Sequence, residues 1–225
     1  MSRPKKSRSP LRVSPQPTST VDQSERTRAA ILNAALDFVW SHPFRDLTVS
    51  KLMAPTGVSR SCFYHHFNDL RHVIETLLEM LRSEIMAACE PWFRGVGDPV
   101  ALLRDSLAGL VRVCHQRGPL LRAVSDAAAA DSRVEKAWTQ FLRSFDDAVC
   151  ARLEADQKQS LIPDFDARPV AVALNRLDAH TLIHAFGKRP RHKPEPVREA
   201  LVRIWISSTY GAEWLRKAHS DLIRS

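Results

Sequence analysis

The sequence predicts an all-α protein of about nine helices, and three observations carry that prediction. Apolar residues recur at steps of three and four through nearly all of the chain after residue 22. No stretch shows the strict alternation of a half-buried strand. Pro, Gly and capping Asp, Ser or Thr fall at the intervals where helices of ordinary length start and stop. The organisation that follows is a basic tail (1–22), a three-helix unit of helix-turn-helix type (23–70) and a larger helical domain (71–225).

The tail holds Arg3, Lys5, Lys6, Arg8 and Arg12 with four prolines and many Ser/Thr. Such a segment cannot bury enough apolar surface to offset its ordering entropy and reads as disordered. From Ser24, the residues Ile31, Ala34, Ala35, Phe38 and Val39 share one helical face, and that helix ends near His42-Pro43. Thr48 caps a short second helix with Val49, Leu52 and Met53 turned inward. It stops at Ala54-Pro55, because proline disfavours helical angles in the residue before it. Gly57 marks a sharp turn, and Ser59 is the expected N-cap of a third helix through His66 that packs with Cys62, Phe63 and Phe67. A helix, a tight turn with Gly and a capped helix form the arrangement that lays a recognition helix in the major groove.

Six further helices are expected at about 70–92, 99–116, 119–129, 132–157, 167–187 and 196–217. They are separated by Pro91 with Gly95 and Gly97, by Asp98-Pro99, by Gly118-Pro119, by Asp166 as a cap, and by Gly187 with the loop KRPRHKPEP. The last helix is apolar on two stripes, Val197, Leu201, Trp205 and Ser208 on one, Val202, Ile206 and Thr209 on the other. One stripe suits the core, and the other is expected to need a partner.

Formal net charge is +8, of which +5 lies in residues 1–70. That favours a polyanionic partner met by the N-terminal part. Cys62, Cys89, Cys114 and Cys150 show neither paired metal-ligand spacing nor a redox dipeptide, which suits a reducing cytoplasm. No signal-peptide run and no membrane-spanning stretch is present, so the expectation is a soluble, cytoplasmic, nucleoid-associated bacterial protein. No cofactor and no metal are expected. His180 and His184 stand one turn apart, but no third ligand or catalytic Glu accompanies them, so they read as surface or interface residues.

The run LTVSKLMAPTGVSRSCFYHHF (47–67) resembles the DNA-binding region of the TetR family, on the joint spacing of Thr48, Gly57, Val58, Ser59, Tyr64, His66 and Phe67. The resemblance implies a DNA-binding set of Thr48, Ser59, Arg60, Ser61, Tyr64, His65 and His66. Arg60 and Ser61 would reach base edges, and Thr48, Tyr64 and His66 would meet phosphates. Met53 stands where a small Ala is usual, and Leu70 where a Lys reaches the backbone; Arg71 is the candidate to take over that phosphate. Taken without the resemblance, Tyr64, His65 and His66 also fit a solvated helix end.

More loosely, residues 137–149, 171–182 and 202–211 resemble a regulator within that family whose C-terminal domain holds a long, mostly aromatic tunnel. The matching positions, Leu103, Leu110, Cys114, Trp138, Leu142, Phe145, Val149, Asn175, Asp178 and Trp205, are the implied ligand-binding set. Several aromatics of the relative are aliphatic or Cys here, and one amide is Asp178. Read from the residues alone, Trp138, Phe141, Leu142, Phe145 and Val149 form the stripe of any core helix. Asn175 and Asp178 beside an apolar wall favour a ligand site, although both could face water.

The expected function is therefore a ligand-responsive DNA-binding transcriptional regulator: a repressor released from operator DNA by a small hydrophobic effector, and a homodimer through 167–187 and 196–217. The alternatives are a DNA-binding dimer without a physiological ligand, and a helical enzyme. The enzyme is disfavoured by the lack of a phosphate loop, a nucleophile elbow or a recognisable catalytic constellation. The discriminating observation is an apolar cavity of a few hundred Å³, the low end for ligand sites, between the helices carrying Trp138 and Asn175.

Overall fold

The computed structural model describes residues 20–211. Among them are eight α-helices, α1 (Thr20–Ser41), α2 (Val49–Met53), α3 (Arg60–His66), α4 (Leu70–Arg94), α5 (Pro99–Ala128), α6 (Ser132–Lys158), α7 (Ala167–Phe186) and α8 (Pro194–Thr209). Short 3-10 turns occupy Phe44–Asp46 and Ala54–Thr56, and none of the described residues is in a strand. The basic tail lies outside the described residues except at its end, where α1 starts at Thr20, ahead of the expected Ser24.

Carboxylate caps set four of the eight helix starts: Asp69 accepts from His72 N, Asp98 from Val100 N, Asp131 from Arg133 N and Val134 N, and Asp166 from Arg168 N. α1, α2 and α3 close over Ile31, Leu52, Phe63 and Phe67, all nearly inaccessible to solvent. α4 leaves this unit as one continuous helix. Its N-terminal half buries Val73, Ile74, Leu77 and Leu78, and its C-terminal half buries Ile85, Cys89 and Trp92 between α5 and α6.

The break expected at Gly118-Pro119 does not occur: 99–116 and 119–129 are one helix, which reduces nine expected helices to eight among the described residues. Proline in a helix interior costs about 3 kcal/mol, partly because the carbonyl four residues earlier loses its donor. Here that carbonyl, His115 O, receives Arg191 Nη1 at 2.5 Å from the α7–α8 loop. Leu107, Val111, Cys114, Gly118 and Leu121 also form an unbroken buried stripe through the proline, so burial favours continuation. Gly118 is required for another reason. A Cβ there would lie 2.4 Å from Phe186 O, so only glycine lets α5 approach the end of α7 so closely.

The last helix also departs from expectation. It ends at Thr209, with Gly211 at φ 81° and its N–H bonded to Ile206 O, and residues 212–217 lie outside the described residues. Both of its apolar stripes are covered within the chain: Val197, Leu201, Val202, Trp205, Ile206 and Thr209 are all buried against α5 and α7, and Ser208 is exposed. The second stripe therefore needs no partner, and the outward face presents Arg203, Ile204, Ser207 and Ser208. The end of α8 is anchored by a buried chain. Trp92 Nε1 donates to Tyr210 Oη, Tyr210 Oη donates to Asp156 Oδ2, and Arg152 bonds both Asp156 and the Trp92 carbonyl.

Candidate functional site

Two regions gather the residues singled out in the sequence. The first is the outer surface of α1–α3. Thr48 Oγ1 accepts from Lys51 N at 3.2 Å and fixes the start of α2. Thr56 Oγ1 bonds Met53 O and Val58 N, and Gly57 turns the chain at φ 67°, a left-handed angle that favours glycine. Ser59 takes the N-cap position of α3, but its Oγ pairs with Ser61 Oγ at 2.9 Å instead of capping the helix. The short α3 buries Phe63, while Arg60, Ser61, Tyr64 and His65 are exposed, Tyr64 by 53%.

His66 is half-buried. Desolvation, then the nearby charges of His65 and Arg28, lower its pKa. It is therefore a neutral imidazole at neutral pH, able to donate one N–H but carrying no charge. Met53 is buried in the core, and Leu70 packs against it.

Arg71 is placed differently from a free phosphate ligand. Its guanidinium bonds Asp131 Oδ2 at 2.6 Å, at the start of α6. One residue pair away, Arg133 of α6 reaches back to Asp69 Oδ2 at 2.8 Å and to both oxygens of Glu75 at 2.7 and 2.8 Å. The first turns of α4 and α6 are thus clasped by five charged side chains. A second tie runs between α1 and the α7–α8 loop, where the Arg189 and Arg191 guanidiniums stack 4.8 and 5.2 Å from the Trp40 ring centroid.

The second region is a cavity of about 80 Å³ lined by α4, α5, α6, α7 and α8. All ten residues of the expected ligand-binding set line it: Leu103, Leu110 and Cys114 from α5, Trp138, Leu142, Phe145 and Val149 from α6, Asn175 and Asp178 from α7, and Trp205 from α8. Its wall is aromatic and ordered. Trp138 stacks on Phe141 at 5.3 Å between centroids, Phe141 meets Phe145 edge-on at 5.1 Å, and Trp92 meets Trp205 edge-on at 5.6 Å. The volume is smaller than the few hundred Å³ expected, so a drug-sized molecule would have to part these helices.

Polar groups in the wall differ in how they are satisfied. Ser106 bonds Trp92 N and Cys89 O. Asn175 donates Nδ2 to Asp146 of α6, which also receives both Arg176 Nη groups. Asp178 is fully buried, accepts only the Trp205 indole N–H among the described residues, and burial pushes its carboxyl up to about 7, partly offset by that bond.

Residues 103–211, the part of the chain that builds this cavity, match the family model "Transcriptional regulator EthR, C-terminal domain". The HTH-type transcriptional regulator EthR of Mycobacterium tuberculosis is 26% identical over 186 residues, covering 81% of this chain and 86% of the relative. The chain is similar to EthR.

Other likenesses are broader. The chain is 27% identical over 146 residues to the nucleoid occlusion factor SlmA of Marinobacter nauticus, covering 63% and 74% of the two chains. Among solved structures, a TetR-family transcriptional regulator from Syntrophomonas wolfei superposes with a TM-score of 0.73 at 17% identity, covering 82% of this chain and 95% of that one. A complex of SmeT with triclosan gives 0.71 at 18%, covering 83% and 93%. These two structures share the fold.

The sequence reading missed the contribution of α4 to the cavity. Ile85, Cys89, Trp92 and Phe93 all line it, so the helix that leaves the α1–α3 unit is itself part of the wall. Their spacing of four, three and one was legible as a buried face. What it faced was not.

Proposed function

We propose that this regulator binds operator DNA as a homodimer through α2 and α3 and is a repressor released when a small hydrophobic effector enters the cavity between α4 and α8. The observation that carries the reading is that one helix, α4, packs into the α1–α3 unit at its N-terminal end and lines the cavity at its C-terminal end. Residues 23–70 then act as the DNA-binding domain and 71–225 as the effector and dimerisation domain. The triclosan complex of SmeT, a protein of the same fold, supports a small apolar molecule as effector.

In the DNA-bound state two α3 helices would sit about 34–36 Å apart, one helical turn of the duplex. Arg60 is free to read guanine, while Tyr64 and His66 supply neutral donors to phosphates. The basic tail adds sequence-independent attraction. An effector larger than the cavity pushes α4 away from α5 and α6 and strains the Asp69–Arg71–Glu75 clasp to Asp131 and Arg133. The two reading helices then change separation. Release requires the effector to bind the splayed state more tightly, by roughly 1–3 kcal/mol for a typical coupling.

The dimer would form on the outward faces of α7 and α8, where Ala173, His180, His184, Arg203 and Ile204 are exposed. The protein would act in the bacterial cytoplasm on the nucleoid. Among the described residues no helix is long and apolar enough to cross a membrane.

The test is selection of genomic fragments by the purified protein, followed by footprinting of the tightest fragment with and without lipophilic compounds. A near-palindromic footprint erased by some of them is expected. A footprint that no compound alters would leave a DNA-binding dimer without an effector, and weak binding to every fragment would overturn the operator reading as well.

A further inference from the structure

The chemistry of the effector is written into one unusual wall residue. The cavity is apolar on nearly every side, yet Asp178 stands in it, fully buried on α7. A carboxylate offers about four acceptor positions and in water fills them. Here a single indole proton, Trp205 Nε1–H, is shared between its two oxygens at 3.0 and 3.1 Å.

No described residue brings a counter-charge to it. Among the described residues no Lys, Arg or His lines the cavity. The titratable groups that face Asp178 from neighbouring helices are two thiols, Cys89 of α4 and Cys114 of α5, which burial holds protonated and neutral at ordinary pH. α6 contributes only Trp138, Phe141, Leu142, Phe145 and Val149, and α8 only Trp205.

The contrast with Asp146 on the same side of the fold is informative. That carboxylate is also buried, but it receives two bonds from Arg176 and one from Asn175, so its charge is compensated within the chain. Had Asp178 served the fold alone, a partner of the same kind would be expected, because an ionised group in an apolar interior is kept only when paired. The missing cation is what an incoming ligand could supply.

We propose that the effector is a small lipophilic amine, bound as its cation, with the ammonium group against Asp178 and the apolar body along Trp138, Leu142 and Phe145. The assignment rests on the proposed role of the cavity and names the class of molecule that fits it. Asp178 selects charge and the aromatic wall supplies affinity, so a neutral or anionic molecule of the same shape is discriminated against. An ammonium reaching a carboxylate away from water forms a charge-assisted hydrogen bond, stronger than the neutral bond an alcohol could make there.

Calorimetric titration of the full-length protein at pH 8 tests this with three probes of one shape: 3-phenylpropylamine, 3-phenylpropanol and 3-phenylpropanoate. They are titrated into wild type, Asp178→Asn and the cavity-filling variant Leu142→Trp, each checked for helical content. The expected result is that wild type binds the amine at least ten-fold more tightly than the alcohol and the acid worst. Asp178→Asn should erase that order while still binding the alcohol, and Leu142→Trp should weaken all three. Equal or tighter binding of the alcohol by wild type would overturn the amine assignment while leaving the cavity as an effector site. An amine preference that survives in Asp178→Asn would overturn the role of this residue. Failure of wild type to bind any probe would overturn the cavity reading and this one together.

Discussion

Asp178→Asn should make the ligand-free protein more stable, and the gain should grow with pH. The carboxyl has an ordinary value of 3.8 and is raised to about 7 in the folded protein. Because the folded value lies above the unfolded one, no penalty exists below about pH 4. Stability is then lost as pH rises from 4 through 7, where the unfolded chain ionises freely and the buried group resists. At about 1.4 kcal/mol per pH unit the accumulated penalty is about 2 kcal/mol at pH 5 and about 4 kcal/mol at pH 8. The amide removes it while keeping an acceptor for Trp205 Nε1, and the raised value already reflects that bond, so nothing further is subtracted. The net gain is therefore about 2 kcal/mol at pH 5 and about 4 kcal/mol at pH 8. For a chain of this size, each kcal/mol moves Tm by about 2–4 °C. Thermal unfolding of both proteins at one fixed protein concentration, since a dimer's Tm depends on it, reads this directly. Equal shifts at pH 5 and pH 8, or destabilisation at both, would refute the uncompensated carboxylate.

Three further outcomes are expected. Tyr64→Ala should weaken operator binding about ten-fold, the scale of a hydrogen bond to a charged phosphate, with the dimer intact by sedimentation; unchanged affinity would remove Tyr64 from the interface. Gly118→Ala should lower stability by about 1–3 kcal/mol, read by urea unfolding, because its Cβ would press on the Phe186 carbonyl; a neutral effect would mean that α5 and α7 part easily. Arg133→Ala breaks the clasp of α6 to Asp69 and Glu75. These are exposed pairs, so Tm should scarcely change, while the effector concentration needed for release should shift by roughly two-fold or more. An unshifted release curve would confine the clasp to a passive role.

What the sequence revealed and what it concealed divide along a physical line. Local signals sufficed for the starts of α4, α5, α6 and α7, because Asp69, Asp98, Asp131 and Asp166 each cap their own first turn. They sufficed for the recognition turn, because Gly57 at φ 67° answers a local backbone demand. Positions one turn apart on α6 and α7 also come together, since helical periodicity alone puts Trp138, Leu142, Phe145 and Val149 on one face and Asn175 near Asp178.

The misses are all long-range. Pro119 reads as a stop because its rescue, Arg191 on His115 O, comes from a loop far along the chain. The Arg71 bond to Asp131 was not legible because that partner starts a different helix. The two stripes of α8 read as one face too many because α5 and α7 between them cover both. Whether Asp178 faces water or the cavity depended on tertiary packing that periodicity does not report.

The measurement that tests the central claim most directly is the linkage between the two proposed sites: operator affinity with and without an effector identified by footprint release, and effector affinity with and without operator. The expected result is that each ligand weakens the other by the same factor, about 5- to 150-fold, and that Leu142→Trp abolishes the coupling while still binding DNA. Independent binding of the two, or release that persists when the cavity is filled, would contradict an effector site between α4 and α8.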